Sequence, residues 1–187
     1  MNDLTAALEH VKRSLRLIYS WGKADLLALA YITLYRIQHA LGDRNAAIDM
    51  VHKAVELTQT HGVFPEARGA VEAAQVKIWL AQKDLSSALR WAVSFDEKTF
   101  GSDDPFRFKD ELAQITRVRV FMAHNKLDDA IGLLSHLEES ARSCGRMGRI
   151  IEILILKALA EQKLGEPALA LANLTECLAL AEPEGYI

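Results

Sequence analysis

Three basic side chains recur along the chain at an almost constant interval and are its strongest candidates for binding chemistry. Arg36, Lys77 and Arg119 follow one another at intervals of 41 and 42 residues. A guanidinium group can hold a carboxylate or a phosphate through two parallel hydrogen bonds, and an ammonium group adds a compact positive charge. If the three side chains share one face of the fold, they form a positive strip suited to a carboxylate, a phosphate or an acidic peptide.

Residues one helical turn before and after these cations extend the candidate strip. Thr33 and Thr116 precede the first and third cations by three residues, and His39 follows the first cation by three. Hydroxyl and imidazole groups would add hydrogen bonds to a ligand that the cations attract. The alternative is that the cations are solvated side chains whose apolar stems cover an otherwise apolar helix. The binding hypothesis involves six residues on one concave face: Arg36, Lys77, Arg119, Thr33, Thr116 and His39.

The sequence lacks the residue patterns that indicate catalysis or metal binding. No two of its six histidines lie three or four residues apart, so no helix would present paired imidazoles to a metal. There is no G-x-S-x-G motif, and Cys144 has arginines nearby but no evident base. Cys144 and Cys177 lack metal-ligand spacing and are predicted to be free thiols. We therefore expect no catalytic residue, no metal site and no cofactor in this segment.

One turn offers a weaker candidate for anion binding. The segment from Gly145 to Arg149 carries two arginines and could surround an anion with backbone amides. An ordinary turn between two helices is the favoured interpretation.

Charge and hydropathy exclude two further classes of partner. The chain has 187 residues and a net charge of −3, which gives no general attraction to nucleic acid or to an anionic membrane. Its longest apolar run, Leu26 to Tyr35, is far shorter than the roughly 20 residues that span a bilayer. With no apolar signal region at the N-terminus, the expected location is cytoplasmic.

The element that positions the three cations is a motif that recurs at steps of 40, 41, 42 and 40 residues. The copy from Gly42 to Ile48 begins with the turn-forming Gly42. Ala47 follows five positions later, and the branched apolar residue Ile48 comes directly after it. The other copies begin at Asn2, Lys83, Asn125 and Gly165. Periods of this length are typical of helical hairpins that stack into a solenoid. The first helix of each hairpin lines the inner surface of such a stack, which would place the cations on one concave face.

The residue types of the motif suit a turn between two helices. Gly42 and Gly165 can adopt the left-handed conformation that ends a helix. Asp43, Asp84 and Asp128 are predicted to cap the helices that follow. The alanines at the sixth position of the motif are predicted to lie where two helices approach closely: Ala47, Ala88, Ala130 and Ala170.

The motif predicts an all-α fold, a right-handed superhelix of tetratricopeptide-like hairpins within a single domain, 1–187. A partial repeat at 1–22 precedes full repeats at about 24–62, 66–96, 107–144 and 147–182. An irregular connection is expected at 97–106. Because the chain opens with the second helix of a unit, we expect it to be a fragment of a longer protein. Trp21 would lie in a connection, exposed where a preceding repeat would pack.

The repeats carry a family resemblance. The pattern Gly-Asp-x-x-x-Ala-[Ile/Leu] resembles the tetratricopeptide repeat, although these units are longer than the usual repeat of about 34 residues. The longer unit, the connection with Asp103-Asp104-Pro105 and the closing run Ala181-Glu182-Pro183-Glu184-Gly185-Tyr186-Ile187 look like the helical sensor region of MalT-like, LuxR-family transcriptional regulators of the STAND type. The resemblance covers essentially the whole chain.

This resemblance implies a regulatory function. In that family the sensor region lies between an ATP-binding module and a helix-turn-helix module that binds DNA. The chain has no G-x-x-x-x-G-K-[ST] phosphate loop, so it resembles only the sensor. The resemblance implies a non-catalytic platform for a small-molecule inducer or for a protein or peptide partner. It also implies that this segment does not bind nucleic acid directly. Occupancy would release an autoinhibited, ATP-dependent oligomerisation of the whole regulator.

Two alternatives remain open from the sequence. The chain could be a general protein-interaction scaffold that binds an acidic peptide or a partner helix and has no connection to transcription. It could also associate with itself through the exposed ends of the repeat array, since uncapped solenoids expose apolar surface.

Overall fold

A computed structural model describes residues 3–99, 111–183 and 185, with the side chains of 96–99 left out. Within these residues the chain forms nine α-helices and no β-strand, which confirms the predicted all-α class. The helices, in chain order, are α1 Leu4–Trp21, α2 Ala24–Ala40, α3 Arg44–Thr60, α4 Pro65–Ala81, α5 Leu85–Thr99, α6 Glu111–Ala123, α7 Leu127–Ser143, α8 Met147–Leu164 and α9 Pro167–Ala181. None of the helices described combines the length and apolar character needed to cross a bilayer.

The chain divides into two compact units, Met1–Lys83 and Asp84–Ile187. The first unit contains α1 to α4, and the second contains α5 to α9. The boundary falls in the turn between α4 and α5, inside the repeat predicted at 66–96. A single domain over 1–187 and its right-handed superhelix stay predictions.

Two boundaries differ from the sequence-based expectations. Trp21 is the last residue of α1 and not part of a connection, because Gly22, with φ 63°, ends the helix one residue later. Its side chain is 64% exposed. Helix α5 continues to Thr99, so 97–99 are helical, and the rest of the expected connection, 100–106, lies outside the described residues.

The turns of the repeat motif share one backbone conformation. Gly42 and Gly165 have φ values of 84° and 82°, which confirms their predicted left-handed conformation. Lys83 and Asn125 occupy the same position of the motif and adopt φ values of 62° and 57° despite their side chains. This conformation is unfavourable for most residues other than glycine, so the hairpin geometry imposes it.

Helix capping follows the motif in two of the three predicted cases. The carboxylate of Asp43 accepts a 3.0 Å hydrogen bond from the backbone N–H of Ala46. Asp84 accepts one of 3.1 Å from the backbone N–H of Ser87. The prediction for Asp128 is wrong: it lies within the first turn of α7, and Lys126 occupies the N-cap without a side-chain capping bond. The copy that begins at Asn125 has Lys126 where the copies at Gly42 and Lys83 have aspartate.

Alanine at the sixth position of the motif lets neighbouring helices pack closely. Ala47, Ala88, Ala130 and Ala170 are exposed by 2%, 0%, 0% and 3%. Each therefore contributes to a core in which a longer side chain would collide with its neighbours.

Each unit has its own apolar core. The core of the first unit includes Val51 and Ala54 of α3 together with Val71 of α4. That of the second unit includes Leu134 of α7 and Ile153 of α8. Because each core draws on consecutive hairpins, the hairpins of a unit stabilise one another.

Candidate functional site

The first unit presents four of the six predicted binding residues at its surface. Thr33, Arg36 and His39 lie on α2, and Lys77 lies on α4; all four are exposed. The hydroxyl of Thr33 donates a 2.9 Å hydrogen bond to the carbonyl of Leu29 in its own helix. The charged and imidazole groups are therefore the better candidates for ligand contact.

The second unit does not present its two predicted residues in the same way. Thr116 is 1% exposed, and its hydroxyl donates a 2.7 Å hydrogen bond to the carbonyl of Leu112. The expectation that Thr116 offers a hydroxyl to a ligand is therefore corrected: Thr116 faces the core, as does Ala74 at the equivalent position of α4, which is 3% exposed, whereas Thr33 at that position of α2 is exposed. Arg119 donates a 2.8 Å hydrogen bond to Glu152 of α8.

A cavity in the first unit brings two of the predicted residues together. It has a volume of about 470 Å³ and lies between α2, α3 and α4. Its polar lining includes His39 and Lys77 from the predicted set, together with Tyr35, Arg44 and Gln82. Because α2 and α3 form one hairpin and α4 begins the next, a ligand in the cavity would contact two successive repeats.

The apolar part of the cavity comes from the same three helices. Ala47 and Ile48 of α3 and Ile78 of α4 line it. The rings of Tyr35 and His39 stack with their centroids 5.9 Å apart and their planes at 26°. Burial raises the pKa of Tyr35, and the nearby charge of Arg36 only partly opposes this, so the phenol is neutral at neutral pH. Tyr35 can thus donate a hydrogen bond from an otherwise apolar ring.

The cavity lining carries two cationic side chains, Arg44 and Lys77. Sequence reasoning missed Arg44, which follows the turn residue Gly42 by two positions. The local sequence around Arg44 predicts only a turn and a helix cap. Arg44 lines the cavity because α3 lies beside α4, and this packing is not visible in the local sequence.

The turn at Gly145 to Arg149 already holds an anionic group of the protein itself. Nη2 of Arg146 and Nε of Arg149 each lie 2.9 Å from an oxygen of the Glu111 carboxylate. Glu111 is 4% exposed, and Gly145, with φ 64°, lies in the turn before α8. The structure thus confirms the interpretation as an interhelical turn, because the two arginines bind an internal carboxylate.

No other candidate centre emerges from the part of the chain that the structure describes. Its histidine, cysteine, aspartate and glutamate side chains form no group of three that could hold a metal ion. Cys144 and Cys177 are free thiols. Cys177 is buried, and burial raises the pKa of its thiol, which disfavours the reactive thiolate.

Comparison with known proteins identifies the family. No curated protein and no solved structure matches the chain. The family model described as "MalT-like TPR region" matches residues 1–187. That family is built from helical repeats of the kind generally found in non-catalytic segments. Because the match extends over the whole sequence and agrees with the helical hairpins of the structure, the chain belongs to the family of MalT-like tetratricopeptide-repeat regions.

Proposed function

We propose that this chain is the ligand- or partner-sensing segment of an ATP-dependent, LuxR-type transcriptional regulator. It acts in the cytoplasm and catalyses no reaction; ATP binding and DNA binding belong to other modules of the regulator. Membership of the family of MalT-like repeat regions supports the regulatory assignment. The cavity between α2, α3 and α4 is the observation that carries the sensing assignment, because it offers about 470 Å³ at the contact of two repeats.

The position of the cavity suggests how binding would be transmitted. A ligand that touches α2 and α3 of one hairpin and α4 of the next binds best to one arrangement of the two repeats. It therefore shifts the population toward that arrangement, by an amount equal to its differential affinity. Each 1.4 kcal/mol of this difference changes the ratio of the two populations about tenfold.

Thermal unfolding of the chain with a ligand panel tests the proposal. The panel contains short oligosaccharides, phosphorylated metabolites, dicarboxylates and acidic peptides. A ligand at about 100 times its dissociation constant stabilises the folded state by roughly 2.7 kcal/mol, which raises the melting temperature by several degrees. A shift confined to one class of small molecule supports sensing. A folded chain that responds to no small molecule contradicts small-molecule sensing and leaves a protein or peptide as the sensed partner.

A protein-interaction scaffold is the second candidate. Arg36 and Lys77 are exposed on the first helices of successive hairpins, a placement that suits an acidic peptide. A peptide bound along these helices would be weakened by replacing either residue with glutamine. If only peptides stabilise the chain, and both replacements weaken them, the scaffold function is favoured over the sensor.

A further inference from the structure

The lining of the first-unit cavity divides into a cationic part and an apolar part. Arg44 of α3 and Lys77 of α4 bring positive charge from two different helices. A carboxylate or phosphate oxygen accepts strong, charge-assisted hydrogen bonds from such groups. With two cationic side chains in the described lining, a negative charge on the ligand is favoured over a neutral or positive one.

The apolar part indicates what else the ligand carries. Ile48 and Ile78 offer branched aliphatic surface, and the stacked rings of Tyr35 and His39 add flat surface beside it. Water is displaced favourably from such surface by a hydrocarbon or aromatic group. The volume of about 470 Å³ falls within the range of roughly 300 to 1,000 Å³ typical of small-molecule sites. An inorganic ion alone would leave most of this surface unused.

We propose that the first-unit cavity binds a small organic anion, with its carboxylate or phosphate held by Arg44 and Lys77 and its apolar body against Ile48, Ile78 and the Tyr35–His39 stack. This inference rests on the proposed sensing function and names its ligand class. It also replaces the strip of three cations with a compact site inside one unit. Arg36 lies outside this site.

The ligand class is tested by calorimetry on the 187-residue chain with chemically matched probes. Benzoate is compared with benzyl alcohol, and phenyl phosphate with phenol, so that each pair differs in charge but keeps its ring. Inorganic phosphate and acetate test the contribution of the anionic group alone. We expect one organic anion to bind at least about tenfold more tightly than both its neutral counterpart and the corresponding small ion. The two pairs distinguish a carboxylate from a phosphate ligand.

Three variants locate the binding site. Arg44→Gln and Lys77→Gln should each weaken the bound anion about tenfold, because each removes a charge-assisted hydrogen bond. Arg36→Gln removes the same charge from an exposed position of α2 that does not line the cavity; its charge reaches Tyr35 only at a distance, so the dissociation constant should change by no more than about twofold. All three side chains are exposed, so we expect the substitutions to leave the fold intact. Melting temperatures close to that of the parent chain would show that they do.

Several results would overturn the inference. Equal affinity for the charged and neutral members of each pair would remove the role of the anion. Equal weakening by Arg36→Gln and Arg44→Gln would place the ligand along the surface strip instead of the cavity. Binding of acidic peptides without any small organic anion would favour the scaffold function. Binding of an oligosaccharide alone would leave the sensing function intact and refute the anion site, so the two proposals fail separately.

Discussion

The ammonium group of Lys157 donates a 2.7 Å hydrogen bond to the carboxylate of Glu138, which joins α8 to α7 in the second unit. Arg142 donates a further hydrogen bond of 2.8 Å to the other oxygen of the same carboxylate. The side chains of Glu138 and Lys157 are each 16% exposed. Burial acts to raise the pKa of Glu138, but the hydrogen bonds from Lys157 and Arg142 outweigh it and lower that pKa below its usual 4.5.

Glu138→Gln should therefore destabilise the chain at neutral pH. A carboxyl group whose pKa is lowered by folding adds stability above its unfolded pKa, and this is lost as the pH falls through the folded value. We expect a loss of about 1 to 3 kcal/mol at neutral pH that shrinks below pH 4.5, measured by urea unfolding at several pH values. Glu139→Gln, at the exposed neighbouring position, is the matched control and should change stability by no more than about 0.5 kcal/mol. Equal losses in the two variants would contradict the role of the Lys157 contact.

The hydroxyl groups of Tyr19 and Tyr31 hydrogen-bond to each other between α1 and α2. Burial, followed by this bond and by the charges of Tyr19 and Glu56, raises the pKa of Tyr31 to about 12. Because folding favours the neutral phenol, its stabilisation is complete below pH 10 and is lost between pH 10 and about 12. An ultraviolet titration should show Tyr31 ionising late, and Tyr19→Phe should lower that pKa. An unchanged pKa of Tyr31 in the variant would show that the hydroxyl contact makes no contribution.

Alanine at the sixth position of the motif is required in α9 because the neighbouring helix lies close to it. Ala170 is 3% exposed, whereas Ala172 in the same helix is exposed. Ala170→Leu should cost about 1 to 3 kcal/mol, because the added atoms must enter a filled core. Ala172→Leu adds the same atoms at the surface and should change the free energy of unfolding by no more than about 0.5 kcal/mol. Chemical unfolding curves for the two variants distinguish steric packing from helix propensity, which is identical for both.

Much of the fold could be predicted from the sequence because its signals are local. Gly42 and Gly165 adopt the left-handed conformation that their residue type favours, and the hairpins follow from it. The prediction that Asp128 caps α7 is wrong because the copy that begins at Asn125 has its aspartate two positions later, inside the helix. The candidate site was less accessible to prediction. Burial of Thr116 and the placement of Arg44 beside the cavity depend on how one hairpin packs on the next, which no local pattern encodes.

Self-association through the repeat ends remains a prediction, and the structure offers a surface for it on α9. Leu171, Leu174 and Leu178 lie on one side of the helix and are exposed by 66%, 41% and 54%. At the position that corresponds to Leu174, Val51 and Leu134 are 0% exposed, because another helix of the array covers them. We expect a second copy of the chain to cover the leucines of α9 in the same way.

Sedimentation over a range of protein concentrations tests this self-association. The parent chain should form a concentration-dependent dimer, and Leu171→Glu combined with Leu178→Glu should leave a folded monomer because burying the added charges is unfavourable. Leu159→Glu, at a residue of α8 that is 52% exposed and lies on neither terminal helix, is the matched control and should still dimerise. A parent chain that stays monomeric at every concentration would exclude this contact.

Arg119 distinguishes the strip of three cations from the cavity of the first unit. Its guanidinium group pairs with Glu152 at 2.8 Å, and both side chains are 33% exposed. Such a partly exposed pair contributes about 1 kcal/mol or less, so Arg119→Gln should lower the stability slightly. Calorimetry with the organic anion should then give an unchanged dissociation constant for Arg119→Gln and a weaker one for Lys77→Gln. Weakening of similar size in both variants would favour the strip of three cations over the cavity. The two cations occupy equivalent positions of their repeats, and only a ligand extended along the array would require both.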